Sequence, residues 1–368
     1  MSDFRTYLDA FLADYAPYKG GRWCYEDGCI LIGCVAMYEA TKEPKWKDYV
    51  LRWLDGAVLA DGTIPGYKTE QYSIDDILCG RSLFFAWDQT GEEKYRKAIE
   101  FHMRRLMGHP RCPCGNFWHK ETYPDQVWLD GLYMGQPFYM EYERRFDRDA
   151  RVDDIAAQFG NVRAHLWNAE KGLNYHGWDE SRRQPWCDKQ TGLSANFWLR
   201  STGWYLMALV DCIGLCNEQL YAAYRSLIDI FRESVDGLLR WQDPESGLFY
   251  QVIDRADVKG NYLETSGSAM AACSILKGVR LGILDAEKYE PIGLRVMESL
   301  LATKLRADAE GRQHLEDICL VAGLGPGEKR DGSVAYYLSE PITRDDAKGV
   351  GPFMMACAEY VRAKEAAR

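Results

Sequence analysis

The segment Gln126-Val127-Trp128-Leu129-Asp130-Gly131-Leu132-Tyr133 sets one carboxylate among Trp128, Leu129, Leu132, Tyr133 and Met134. Pro124-Asp125 reads as a helix start with Asp125 as N-cap. Asp130 then falls a turn inside the helix, too deep to be explained by capping or by the first-turn dipole. Apolar surroundings desolvate a carboxyl and favour its protonated form, the tuning a general acid needs near neutral pH. The plainer reading is a buried Asp satisfied by backbone or Arg. Asp75 and Asp76 form a second acidic pair. Ser73 stands three residues before Asp76 at capping-box spacing, which leaves Asp75 to point elsewhere.

In Asn196-Phe197-Trp198-Leu199-Arg200-Ser201-Thr202-Gly203-Trp204 a cation lies between two indoles at a helix entry. Arg pairs with carboxylates through two parallel hydrogen bonds, and indole faces stack on sugar rings. Packing of Arg on Trp is the structural alternative. His119 and His176, two of only 6 His, end equivalent loops: Gly115-Asn116-Phe117-Trp118-His119 and Gly172-Leu173-Asn174-Tyr175-His176. Gly247-Leu248-Phe249-Tyr250-Gln251 repeats the pattern, and Asp61-Gly62 to Tyr67 and Gly332 to Tyr337 follow it more loosely. Thr265-Ser266-Gly267-Ser268 reads as a helix start offering hydroxyls and amides.

Helical periodicity must position these groups. It predicts helices near 3–17, 26–42, 45–59, 73–90, 93–107, 125–146, 150–167, 194–214, 217–240, 265–282, 286–303 and 344–364. Twelve helices pair into six hairpins whose aromatic loops gather on one rim, with short β-hairpins in those loops. The expected architecture is an all-α (α/α)6 barrel filling residues 1–368 as a single domain, because no Pro/Ser/Gly-rich linker interrupts the pattern.

Composition narrows the function. The chain has 368 residues, 13% aromatic, with 12 Trp and 23 Tyr, more indole than a core requires. A net charge of -10 with scattered Lys and Arg argues against nucleic acid. It leaves room for a small anionic substrate held by a few local cations. The N-terminal residues Phe4, Tyr7, Leu8, Phe11, Leu12 and Tyr15 recur at helical spacing, so they read as an amphipathic helix and not as a signal peptide. No apolar run reaches membrane-spanning length. The expectation is a cytoplasmic protein whose 12 Cys stay reduced. Neither Cys112-Pro113-Cys114 nor Cys212 with Cys216 has the paired spacing of a zinc site, so no metal is expected. No nucleophile elbow, phosphate loop or dinucleotide fingerprint appears, and no cofactor is needed.

Ile74-Asp75-Asp76-Ile77 with Gly80-Arg81, Trp128-Leu129-Asp130-Gly131-Leu132-Tyr133-Met134, and Trp198-Leu199-Arg200 with Gly203-Trp204 together resemble the unsaturated rhamnogalacturonyl hydrolases of glycoside hydrolase family 105. More distantly they resemble the unsaturated glucuronyl hydrolases of family 88. The resemblance runs from Trp23-Cys24-Tyr25 through Ser266-Gly267-Ser268. It implies an (α/α)6 barrel acting on oligosaccharides that end in a 4,5-unsaturated uronic acid, the product of a polysaccharide lyase. It implies that Asp130 protonates C4 and activates water for C5, with Asp75 as the second important Asp. His119, His176, Trp198, Arg200 and Trp204 match pocket positions, and Trp128 and Tyr133 belong to the same motifs. Rhamnose is the default neighbouring sugar. Where the family usually shows Asn-Pro after Asp75-Asp76-Ile77, this chain has Leu78-Cys79, and the Arg111-Cys112-Pro113-Cys114 loop is peculiar to it.

Three other readings stay open: a sugar epimerase, an inverting glycosidase, and a non-catalytic glycan-binding helical-repeat protein. An inverting glycosidase needs a second carboxylate well separated from Asp130, with Asp179, Asp188 and Glu264 available. The binding protein has no reason to bury Asp130.

Overall fold

The structure is a computed structural model that describes residues 4–366. The first three and last two residues, and with them the start of the expected helix at 3, lie outside the described residues. The long helices are α1 (Phe4–Asp14), α2 (Tyr25–Thr41), α3 (Pro44–Ala57), α4 (Arg81–Thr90), α5 (Glu93–Met107), α6 (Leu129–Phe146), α7 (Val152–Leu166), α8 (Leu199–Leu215), α9 (Tyr221–Leu239), α10 (Thr265–Arg280) and α11 (Ala286–Thr303). A short α12 (Val334–Ser339) and a long α13 (Ala347–Ala366) complete the order.

Burial sorts these helices into two rings. In α8 every residue from Leu199 to Ile213 is buried, and α10 and α13 are buried almost as fully. A helix apolar on all sides belongs inside. By contrast α9 buries Ala223, Leu227, Phe231, Ser234 and Leu238, a single stripe at three- and four-residue spacing. The inner ring runs α2, the rod 74–90, α6, α8, α10, α13 and back to α2, with α3, α5, α7, α9 and α11 packed outside. The helix α1 joins the outer layer through Tyr7, whose ring meets Phe353 of α13 edge-on at 6.2 Å. Six inner and six outer helices form the expected (α/α)6 barrel.

Ring closure brings backbones into contact. A Cβ on Gly351 of α13 would lie 2.5 Å from the Cys29 carbonyl oxygen of α2, so only glycine permits this approach.

Four two-stranded antiparallel ribbons decorate the helix connections. One pairs β1 (Gln126–Trp128) with β4 (Gly177–Asp179), and another pairs β2 (Trp167–Asn168) with β3 (Leu173–Asn174). The glycines that open the loop repeats, Gly115, Gly172 and Gly247, all adopt left-handed φ (+100°, +68° and +76°). That shared turn is what the sequence repeat encodes. Gly332 shares the left-handed φ (+71°) but leads into α12.

Several expected helix starts differ; α8 begins at Leu199 and not at 194, and α9 at Tyr221 and not at 217. Residues 126–128 are strand, Asp125 has φ +59°, and α6 begins at Leu129 with no side-chain cap. Asp125 is therefore no N-cap, and Asp130 lies in the first turn. Ile74–Gly80 is a 3₁₀ segment before α4, and Ser73 makes no capping bond, so the capping box with Asp76 does not form. The strand wins at 126–128 because its backbone groups pair with β4, which a helix start there would forfeit.

Gly351→Ala should cost about 1–3 kcal/mol by overpacking. Urea unfolding should show a lower midpoint at unchanged slope, and an unchanged midpoint would show that α13 and α2 do not need this contact.

Candidate active site

The residues that line the main candidate cavity come from the N-terminal ends of inner elements: Tyr25 and Glu26 (α2), Asp75 (the 3₁₀ segment), Asp130 and Met134 (α6), Arg200 and Trp204 (α8), and Lys348 (α13). Helix N-termini carry partial positive charge and unpaired N–H groups, so this end of the barrel favours anions. The cavity is about 190 Å³ and is closed off by Lys19, His119, Lys120, Tyr123, Trp128, Trp198, Val321 to Gly323 and Arg330.

Asp130 is positioned by the ribbon beneath it. Trp128 pairs with Gly177, and the Leu129 N–H donates to the His176 carbonyl (3.1 Å). This puts the His176 Nε2 3.4 Å from Asp130 Oδ2. The approach falls short of a hydrogen bond, and both buried atoms are without any hydrogen-bond partner. The Asp130 side chain keeps 13% exposure and lines the cavity, with Oδ2 buried. Asp130 is thus not sealed among apolar neighbours as its sequence surroundings suggest.

His176 is fully buried, with Nδ1 2.7 Å from the Tyr337 hydroxyl. Burial pushes the Tyr337 phenol well above its ordinary pKa, so it stays protonated. Tyr337 O–H can therefore donate to Nδ1, leaving Nε2–H to face the Asp130 carboxylate.

Asp75 has its own partners. Lys120 Nζ lies 2.5 Å from its Oδ2, and His119 Nε2 lies 3.5 Å from its Oδ1. Burial pushes Asp75 upward, but Lys120, His119 and Lys19 outweigh it and hold the carboxyl below its ordinary value. It is ionised at neutral pH. Burial drives the neighbouring Asp76 up to about 6, with the Asp75 charge adding to it. His119 stacks on Trp128 at 4.2 Å, and burial lowers it to about 4, so it is a neutral ring at neutral pH.

Arg200 is 1% exposed. Its Nη2 donates to the Cys319 carbonyl (2.6 Å), and its Nη1 reaches the Ser266 hydroxyl (3.5 Å). Glu264 fixes both of those partners: it accepts from Ser266 Oγ, Gly267 N–H and Cys319 N–H. Among the described residues no carboxylate lies within ion-pair distance of Arg200, although it borders the cavity. The guanidinium also lies over the Trp198 ring at 5.1 Å, but a buried charge without an opposite charge is costly, and an anionic ligand would supply one. Arg330, also on the wall, likewise has no ion pair among the described residues.

The sequence-predicted residues Asp130, Asp75, His119, Trp128, Trp198, Arg200 and Trp204 converge on this cavity. His176 stands behind Asp130, and Tyr133 stands behind Trp204, stacked on it at 4.7 Å and away from the cavity. Sequence reasoning did not single out Lys19, Glu26, Lys120, Arg330 or Lys348. Lys120 had a signal in its place beside His119, whereas Arg330 and Lys348 lie on irregular or uniformly buried stretches with none. The three carboxylates available to an inverting glycosidase are otherwise engaged. Glu264 caps α10; Asp179 accepts from Ser181 and Gln184; Asp188 accepts from Gln190 and Thr191.

A larger cavity, about 390 Å³, opens at the opposite end of the inner ring. Its charges pair with one another: Asp211 joins Arg81 and Lys277 (each 2.6 Å), and Glu359 joins Arg280 and Arg362 (2.7 and 2.6 Å).

A double ring of helices with an acidic, cationic and indole-lined cavity at one end defines a barrel-type carbohydrate hydrolase. The family model described as Glycosyl Hydrolase Family 88 matches residues 10–364, and the chain belongs to that family, on its family 105 side. A solved glycoside hydrolase from family 105 of C. acetobutylicum ATCC 824 is 42% identical, with TM-score 0.90, covering 96% of this chain and 99% of that one. Protein Atu3128 of Agrobacterium fabrum is 41% identical over 61% of this chain and 97% of its own length. The unsaturated rhamnogalacturonyl hydrolase YesR of Bacillus subtilis is 28% identical over 78% of this chain and 82% of its own. Among the described residues no helix is long and apolar enough to cross a membrane.

The lowered pKa of His119 ties stability to pH. The folded chain keeps this ring neutral down to about 4, whereas the unfolded chain protonates it near 6.5. The stabilising contribution is full above 6.5 and is lost as pH falls toward 4. The stability difference between wild type and His119→Gln should therefore shift against wild type across that window. A difference independent of pH would show that His119 titrates normally.

Proposed function

We propose that this glycoside hydrolase removes a 4,5-unsaturated uronic acid from the non-reducing end of lyase-generated oligosaccharides by hydrating the C4=C5 double bond. The observation that carries this reading is Arg200: a buried guanidinium with no carboxylate partner, on the wall of the cavity that Asp130 also lines. A uronate carboxylate completes that pair. Trp198, Trp204 and Trp128 line the cavity, and Lys19, Lys120, Arg330 and Lys348 make it cationic within a chain of net charge -10.

Asp130 acts as general acid and base. Its Oδ1 gives a proton to C4, and the resulting carboxylate takes one from the water that adds at C5. The hemiketal so formed opens, releasing the neighbouring sugar, and Asp130 returns to its starting state. His176 orients the carboxylate through Nε2, and Tyr337 sets the His176 tautomer. Asp75, held ionised by Lys120, is placed to steer the water or hold a sugar hydroxyl. No step needs a cofactor or a metal. Similarity to YesR supports rhamnose as the next sugar. We place the enzyme in the cytoplasm as one domain spanning the chain, acting without nucleic-acid or membrane partners.

The hydration consumes a conjugated chromophore, so ultraviolet absorbance of unsaturated disaccharides should fall as enzyme acts. Asp130→Asn should slow that loss by about 10²- to 10⁴-fold at unchanged thermal stability. Cleavage of saturated uronides by the wild type, with no loss of absorbance on unsaturated ones, would overturn the reading. Arg200→Gln should raise KM by roughly ten- to a hundredfold, the cost of one charged hydrogen-bonded contact. An unchanged KM would remove Arg200 from carboxylate recognition.

A further inference from the structure

The Cys112-Pro113-Cys114 loop lies outside the catalytic cavity, and its geometry is that of a metal site. The thiols of Cys112 and Cys114 and a carboxylate oxygen of Glu180 all lie within 4.8 Å of one another. Ligands around one tetrahedral zinc stand roughly 3.5–3.8 Å apart, given Zn–S near 2.3 Å and Zn–O near 2.1 Å. A small contraction closes the set.

The turn that carries the thiols is already formed. The Cys112 N–H donates to the Asn116 carbonyl and the Gly115 N–H to the Cys112 carbonyl, both at 2.8 Å, and Gly115 takes φ +100°. The Cys114 thiol stands near the Cys112 thiol and donates to the Asn116 Oδ1 at 3.8 Å. Glu180 reaches the loop from the end of β4 and accepts the Cys114 N–H at 3.0 Å.

Charge points the same way. Among the described residues no Lys, Arg or His pairs with Glu180. The one cation in the loop, Arg111, is engaged by both oxygens of Asp154. Two sulfurs and a carboxylate thus face one another with no cation between them. Cys112 is buried while Cys114 and Glu180 are partly exposed, which gives an ion an inner anchor and an entry path. Two thiolates and a carboxylate suit zinc, a borderline-soft ion.

We propose that Cys112, Cys114 and Glu180 bind one Zn²⁺, with water as the fourth ligand, and that the ion staples the loop leading to His119 onto the strand pair leading to Asp130. Binding releases the two thiol protons and changes no oxidation state. Glu180 N–H already donates to the Asp125 carbonyl (3.0 Å), and β4 pairs with β1, so the staple acts on elements that carry the candidate site. The ion is structural and touches no substrate.

The test uses the full chain, purified with reductant and without chelator. Wild-type protein loaded with Zn²⁺ alone and desalted should retain about one zinc per chain. Its Co²⁺ form should show sulfur-to-cobalt charge-transfer absorption with tetrahedral ligand-field bands. Zn²⁺ should raise the melting temperature of wild type but not of Cys114→Ser or Glu180→Gln. The cobalt spectrum is read on wild type, so it decides the question even if a variant folds poorly. Octahedral cobalt without the thiolate band would overturn the proposal. So would zinc retained equally by Cys112→Ser/Cys114→Ser, or a Cys112–Cys114 disulfide in place of zinc under reducing purification.

Discussion

The closed inner ring is the constraint from which the rest of the molecule follows. Its helices are buried on all sides, so nothing but other helices can complete them. Closure requires the last, α13, to lie against the first, α2, with Gly351 over the Cys29 carbonyl. Chain segments more than three hundred residues apart become neighbours. Because successive inner elements run the same way, with an outer helix returning the chain each time, closure also sends their N-terminal ends to one face. The cavity, its cations and its carboxylates all sit where those ends converge.

The two ends of the ring solve the problem of buried charge differently. At the C-terminal end the charges neutralise internally, as Asp211 does between Arg81 and Lys277. At the N-terminal end the protein spends acids on orientation. Glu264 accepts three hydrogen bonds that fix the partners of Arg200 without itself reaching the guanidinium. Asp75 is absorbed by Lys120. What is left without an opposite charge is Arg200 and Arg330, on the wall that Asp130 also lines. That residue of unmatched polarity, and not the size of the cavity, separates this end from the larger cavity opposite.

Much of this was legible in the sequence, for physical reasons. Apolar periodicity marks helices wherever one stripe is buried, so the twelve long helices and their pairing could be read. The aromatic loops could be read because each needs a left-handed glycine. Helix starts were less legible where backbone pairing overrode side-chain capping. Residues 125–128 look like a capped helix start, yet the ribbon with 177–179 claims them, and Asp130 moved into the first turn. Asp130 and Arg200 stood out as charges in apolar company. Lys19, Arg330 and Lys348 did not, because only the ring brings residues of such distant sequence position to one wall. Tyr337 gave no sign of standing behind His176 for the same reason.

The Arg200 guanidinium has a kinetic corollary. In the proposed reaction the uronate carboxylate keeps its negative charge before, during and after hydration, because the bond changes take place at C4 and C5. A cation fixed opposite it, by partners that do not move, stabilises bound substrate, transition state and product alike. Such uniform binding sets how readily the cavity fills and how slowly it empties, and adds nothing to the rate of the step itself. In the proposed reaction the differential work then falls to Asp130 and, for the water, to Asp75, with His176 and Tyr337 standing behind Asp130. In this arrangement recognition and acceleration reside in separate side chains, and the released uronate competes with fresh substrate for the first without engaging the second.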